Sequence, residues 1–213
     1  MHLINILSLT SGVLGILGFV PYIRAVLRKE AQPQKASWVA WGILNGITLA
    51  GMYVKGVATV QMTAITLGSW IVLALAFKYG KPGWSVLDKF CLGGAVLAIV
   101  LWKLFNDSDF GIIVSLIGLF VSGIPTWKSA WQTPEKENRA AWIIFMTSSL
   151  LALLAIRKFT MASAAQPIEF LVNQTVTVAF LLTRSPMRKS KSLLIVGGMA
   201  LMIETLIILR HIG

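Results

Sequence analysis

Cysteine occurs once, at Cys91, and histidine twice, at His2 and His211 near opposite ends of the chain. A single cysteine excludes an internal disulfide, and with two distant histidines it builds no recognisable metal cluster. Acids are also scarce: eight Asp and Glu stand against nineteen Lys and Arg. The apolar segments hold neither a pair of carboxylates nor a histidine beside a nucleophile, so acid–base or covalent catalysis has no visible machinery. No catalytic residue, metal or cofactor is therefore expected, and the chain does not read as an enzyme. A nucleotide-binding loop of the Walker type is missing too, which excludes direct drive by ATP within this chain. Charge as a whole is thin: 13% of the 213 residues are charged and 56% are hydrophobic. Too little polar surface is available to cover a soluble core.

What is present is long apolar sequence. Eight apolar segments stand out, about 3–27, 37–54, 57–79, 85–103, 110–131, 140–156, 164–183 and 192–210. Blocks of roughly 20 residues suit helices crossing a hydrocarbon layer of ~30 Å. The fold class expected is an all-α polytopic membrane protein with the lipid bilayer as its partner. Residues 1–5 carry no positive stretch, and no small-residue cleavage site follows, so the first segment is expected to remain as a helix. The net charge of +11 lies in short loops and not on a basic surface, so nucleic acid is not an expected partner.

The basic residues are distributed unevenly. Fourteen of the nineteen Lys and Arg follow the first, third, fifth and seventh segments. The positive-inside rule places those loops in the cytoplasm, with both termini outside and an even number of spans. The chain also repeats at a shift of 104 residues, which brings Pro21 onto Pro125, Arg24 onto Lys128, Trp38 onto Trp142 and Gly93-Gly94 onto Gly197-Gly198. A shift by four segments preserves direction, so two parallel four-helix repeats are expected, 1–104 and 105–213, within one membrane domain.

A proline near the cytoplasmic end of a helix, a short basic loop, a second helix, and a third carrying Asn in "QPIEFLVNQTVTVAFLL" (166–182) together resemble the three-helix unit of the PQ-loop superfamily. That superfamily includes the SWEET sugar transporters and their bacterial half-size relatives. The resemblance covers about 3–79 and 110–183. It implies a three-helix bundle in each repeat around a polar cavity opening alternately to either side, in a bacterial inner membrane. The departures are plain: the helix-embedded Pro-Gln is Pro21-Tyr22 in one half and Pro125-Thr126 in the other, while the literal Pro33-Gln34 lies in a loop. Eight segments also exceed the seven of a SWEET protein.

Several residues could carry function. Pro21 and Pro125 each remove a helix hydrogen bond and are expected hinges; the plain alternative is a helix that ends near the interface. Trp38, Trp41, Asn45 and Thr48 share one stripe of the second segment, and indoles stack on sugar rings and nucleobases. For Trp38 and Trp142 the competing explanation is the aromatic belt at a membrane surface. Asn173 and Gln174 are adjacent amides in the seventh segment, with Ser69 at the position of Asn173 in the first half. Asn173 also lies close to the substrate-facing Asn of the superfamily. Glue between helices is the alternative for all these amides. Glu169 and Glu204 are the acids inside apolar segments and the candidates for proton coupling, although Glu169 could instead pair with Arg157. Gly12, Gly15 and Gly18 recur every third residue on the first segment, where small residues let helices pack closely.

The expected function is a secondary carrier or facilitator of a small polar metabolite, with a sugar or nucleoside-like solute among the candidates and a homo-oligomer compatible with it. The alternative is a receptor, sorting factor or scaffold with the same fold and no transport.

Overall fold

The computed structural model describes residues 2–81 and 85–183. These form helices α1 (His2–Leu27), α2 (Lys35–Val54), α3 (Val60–Tyr79), α4 (Val86–Phe105), α5 (Ser108–Ser122), α6 (Ile124–Gln132), α7 (Arg139–Leu154) and α8 (Met161–Thr183), with one short 3-10 turn at Pro134–Lys136. No strand occurs among the described residues. Among the described residues, three helical stretches are long and apolar enough to cross a membrane: His2–Leu27, Val60–Tyr79 and Asp109–Gln132. The expected eighth segment, Glu204 within it, Gly197-Gly198 and the side chain of Cys91 lie outside the described residues.

Local sequence explains where the helices start. Thr59 caps α3, its hydroxyl accepting from Met62 N at 3.0 Å; Asp107 caps α5, accepting from Phe110 N at 2.8 Å. Asn138 caps α7, accepting from Ala141 N at 2.9 Å. Each cap satisfies an otherwise unpaired helix donor and contributes about 1 kcal/mol.

The helix α1 is built inside out compared with a soluble helix. Its buried face carries Ser11, Gly12, Gly15 and Gly18, while Leu3, Ile6, Val13, Ile16 and Val20 are exposed. Burial of small residues with exposure of large aliphatics is the arrangement that lipid favours, since packing and not water exclusion holds membrane helices together. The small face brings α1 against α7 and α3. At Gly18 a Cβ would stand 2.5 Å from Phe145 Cε1, so a side chain there would push α1 from α7.

Packing across the molecule has a reciprocal form. Helix α3 packs on both α1 and α2, and α8 packs on α7 and on the α5–α6 pair. Between these groups α1 lies along α7 and α2 along α5, while α4 covers α5 and α2.

Two prolines depart from the symmetric expectation. Pro21 sits inside an unbroken α1, but Pro125 lies in the first turn of α6, after a break at Gly123. The fifth segment is thus one spanning stretch interrupted at a single residue, Gly123, which keeps right-handed helical angles. Pro125 cannot donate to the carbonyl of Val121, and its ring crowds that carbonyl, so the chain restarts the helix where a missing N–H costs nothing. A third proline, Pro167, lies inside α8 and was not singled out from the sequence.

Candidate functional site

Asn45 lies midway along α2, Ser69 midway along α3, and Asn173 midway along α8. Helices α2 and α3 follow each other through a short turn and pack together, and α8 reaches α2 across the molecule. Around them opens a cavity of about 460 Å³, counting the space at its mouth. All seven residues expected to bind solute line it: Trp38, Trp41 and Asn45 from α2, Ser69 from α3, Trp142 from α7, Asn173 and Gln174 from α8. Glu169 also faces the cavity, with Phe19, Phe145 and Phe170 among the apolar residues.

At one end, corresponding to the starts of α2 and α7, aromatic rings close together. Phe19 meets Phe145 at 4.7 Å between ring centroids, Tyr22 meets Trp38 at 5.2 Å, Trp38 meets Trp41 at 5.1 Å and Trp41 meets Trp142 at 6.0 Å. Trp38 and Trp142 are each 3% exposed, so neither belongs to an aromatic belt facing the membrane surface. Their indole N–H groups point inward: Trp38 donates to Tyr22 Oη at 3.2 Å and Trp142 to Glu137 Oε2 at 3.2 Å. Trp41 donates to the Leu119 carbonyl at 3.0 Å, which joins α2 to α5.

The polar residues are bonded as follows. Asn45 Nδ2 donates to Ser69 Oγ at 3.4 Å, and that hydroxyl donates to the Thr66 carbonyl at 2.8 Å. Asn173 Nδ2 donates to Glu169 Oε1 at 3.3 Å, while Asn173 Oδ1 accepts from Trp127 Nε1 at 3.3 Å. Gln174, oriented as its surroundings require, donates to Ser149 Oγ at 2.7 Å and to the carbonyls of Phe145 and Phe170. Two acceptors are left over: Asn45 Oδ1 and Glu169 Oε2 are buried atoms without a partner.

The alternative role for Glu169 does not hold. Arg157 donates to Asn5 Oδ1, not to Glu169, because the α7–α8 loop carries it back toward the start of α1. Gln61 and Gln166, nearer the other end of the cavity, form an amide link between α3 and α8 at 3.0 Å, and Gln61 reaches Ser149 at 3.3 Å. These bonds tie three helices with groups that are fully buried.

The prolines lie outside the cavity wall, and each neighbours a contact to the other half. The Pro21 carbonyl accepts from Asn138 Nδ2 at 3.4 Å, and Thr126, next to Pro125, donates to Ser37 Oγ at 3.0 Å.

Sequence reasoning missed Glu137. It stands between Lys136 and Asn138 in a basic loop, where an acid reads as solvated, yet it is 6% exposed beneath the aromatic cluster. Burial pushes its carboxyl up to about 7, opposed by the Trp142 hydrogen bond and by Ser129. The opposition from Ser129 is weak, since neither its hydroxyl nor Glu137 Oε1 has a hydrogen-bond partner. No local signal in the sequence marks this burial; it arises because Trp142 reaches back over its own helix start. Trp127, which fixes Asn173, was also missed and sits one turn after the Gly123 break.

The described residues contain no group of three or more His, Cys, Asp or Glu able to hold a metal. In comparison with known proteins, the chain matches no family model, no curated protein and no solved structure.

Proposed function

We propose that the chain is a membrane carrier or facilitator for a small polar solute, working by alternating access between two parallel repeats. The observation that carries this reading is the cavity, in which buried amides at mid-helix height are joined by a carboxyl and by indoles from both halves. Such convergent polar groups in an otherwise apolar pocket are what a solute site requires. The reciprocal packing of α1 with α7 and α2 with α5 supports the repeats, because exchanging the halves exchanges those pairs. The proline hinges fit the same scheme: the chain near each proline touches the second helix of the other half or its cap, so bending one half is felt by the other. In this reading the PQ-loop-like protein spans a bacterial inner membrane eight times, with both termini outside.

The test is solute uptake into proteoliposomes holding the full chain, across a panel of neutral, cationic and anionic small metabolites. Saturable uptake with counterflow is expected for at least one class. If the folded protein moves no member of the panel, the carrier reading fails and a receptor or scaffold with this fold takes its place.

A further inference from the structure

The hydrogen bonding of the cavity wall is lopsided. Each described side-chain donor atom on it has an acceptor: the three indole nitrogens, the Ser69 hydroxyl and the Gln174 amide nitrogen, with Asn45 Nδ2 and Asn173 Nδ2 each using one of their two N–H groups. What is left unpaired is Asn45 Oδ1 on one side and Glu169 Oε2 on the other, both shielded from water. An unmet acceptor in such a place is costly, and an isolated carboxylate more so. No Lys or Arg lines the cavity to neutralise it.

The missing partner is therefore a donor, preferably one carrying positive charge. A sugar hydroxyl satisfies one acceptor, and its oxygen can accept from the second N–H of Asn45 or Asn173, but it brings no positive charge to set against the carboxyl of Glu169. An anionic solute meets the carboxyl of Glu169 with no described Lys or Arg on the wall to offset the repulsion. An ammonium group supplies three N–H donors and no acceptor. Its charge also gains from indole rings, whose faces attract cations within about 6 Å. Trp41 and Trp142 line the same cavity and suit the adjoining aliphatic part.

We propose that this cavity takes a small organic ammonium ion, its N–H groups held by Glu169 Oε2 and Asn45 Oδ1 and its apolar part against Trp41 and Trp142. The assignment rests on the cavity being the solute site of the carrier reading and narrows the solute to a primary or secondary amine in its charged form. It also gives Glu169 a duty distinct from proton relay: it is the counter-ion of the solute.

The test is calorimetric titration of the full chain in nanodiscs with n-butylammonium and with butan-1-ol, which share a carbon skeleton and differ in charge and donors. The ammonium is expected to bind at least about tenfold more tightly. Equal affinities, a preference for the alcohol, or no binding of the ammonium overturns the proposal. Glu169→Gln should bring the two affinities together; a preference that survives the substitution also overturns it. Should that variant not fold, the comparison on the unaltered protein decides alone. The outcome separates from the carrier reading: selective binding without uptake refutes transport and keeps the ammonium site, whereas uptake of neutral solutes without ammonium binding does the reverse.

Discussion

The two walls of the cavity use the same positions and different chemistry. Residues 104 apart pair Asn45 with Ser149, Ser69 with Asn173, Trp41 with Phe145 and Ile65 with Glu169. In the first half the amide stands on the second helix and the hydroxyl on the third; in the second half the order is reversed. Asn45 and Ser69 bond directly to each other, whereas Ser149 and Asn173 do not, because Gln174 takes Ser149 and Glu169 with Trp127 takes Asn173. Both described buried acids near the cavity, Glu169 and Glu137, stand in the second half, and the position matching Glu169 in the first holds the apolar Ile65. Positions matched by the 104-residue offset thereby bring unlike groups to the cavity.

The largest test of that difference compares Asn173→Ala with Ser69→Ala at equivalent positions. Asn173 joins two side chains of the wall, Glu169 and Trp127, whereas Ser69 accepts one bond from Asn45, and each neutral bond is worth about 0.5–1.5 kcal/mol. Solute uptake should therefore fall roughly ten- to a hundredfold for Asn173→Ala and up to about tenfold for Ser69→Ala. Equal losses would show that the two walls contribute alike.

A second contrast lies at the aromatic end, where Trp38 donates to neutral Tyr22 and Trp142 to titratable Glu137. The Glu137 carboxyl is raised from 4.5 to about 7, so the folded protein binds more protons than the unfolded chain between those values. Folding stability should be highest below about 4.5 and decline as pH rises to about 7, by at most about 3 kcal/mol, then level off. Glu137→Gln, which keeps an oxygen for Trp142, should flatten the unfolding midpoint across that range. A slope that persists in the variant would assign the dependence to other groups.

Much of this interior was legible beforehand. Helical spacing put Trp38, Trp41 and Asn45 on one stripe, Asn173 and Gln174 stood out as adjacent amides in an apolar segment, and the repeat directed attention to Ser69 and Trp142, because period and offset are properties of sequence alone. What depends on distant contacts was not legible. The break at Gly123 follows from how Pro125 is accommodated, since the same residue type in α1 leaves the helix whole. Whether Glu169 meets Arg157 depends on where the α7–α8 loop leads, and the burial of Glu137 depends on an indole folding back over it. The tryptophans looked interfacial by their position along the chain, yet their rings turn to one another across the two halves.

Access to the cavity from both sides of the membrane tests the central claim most directly. Ser69→Cys in a Cys91→Ala background, in sealed vesicles of either orientation, would be exposed to a thiol reagent that does not cross lipid. The account predicts labelling of Cys at position 69 from each side, slowed in both orientations by solute. Labelling from one side alone, or from neither, would contradict alternating access through this cavity.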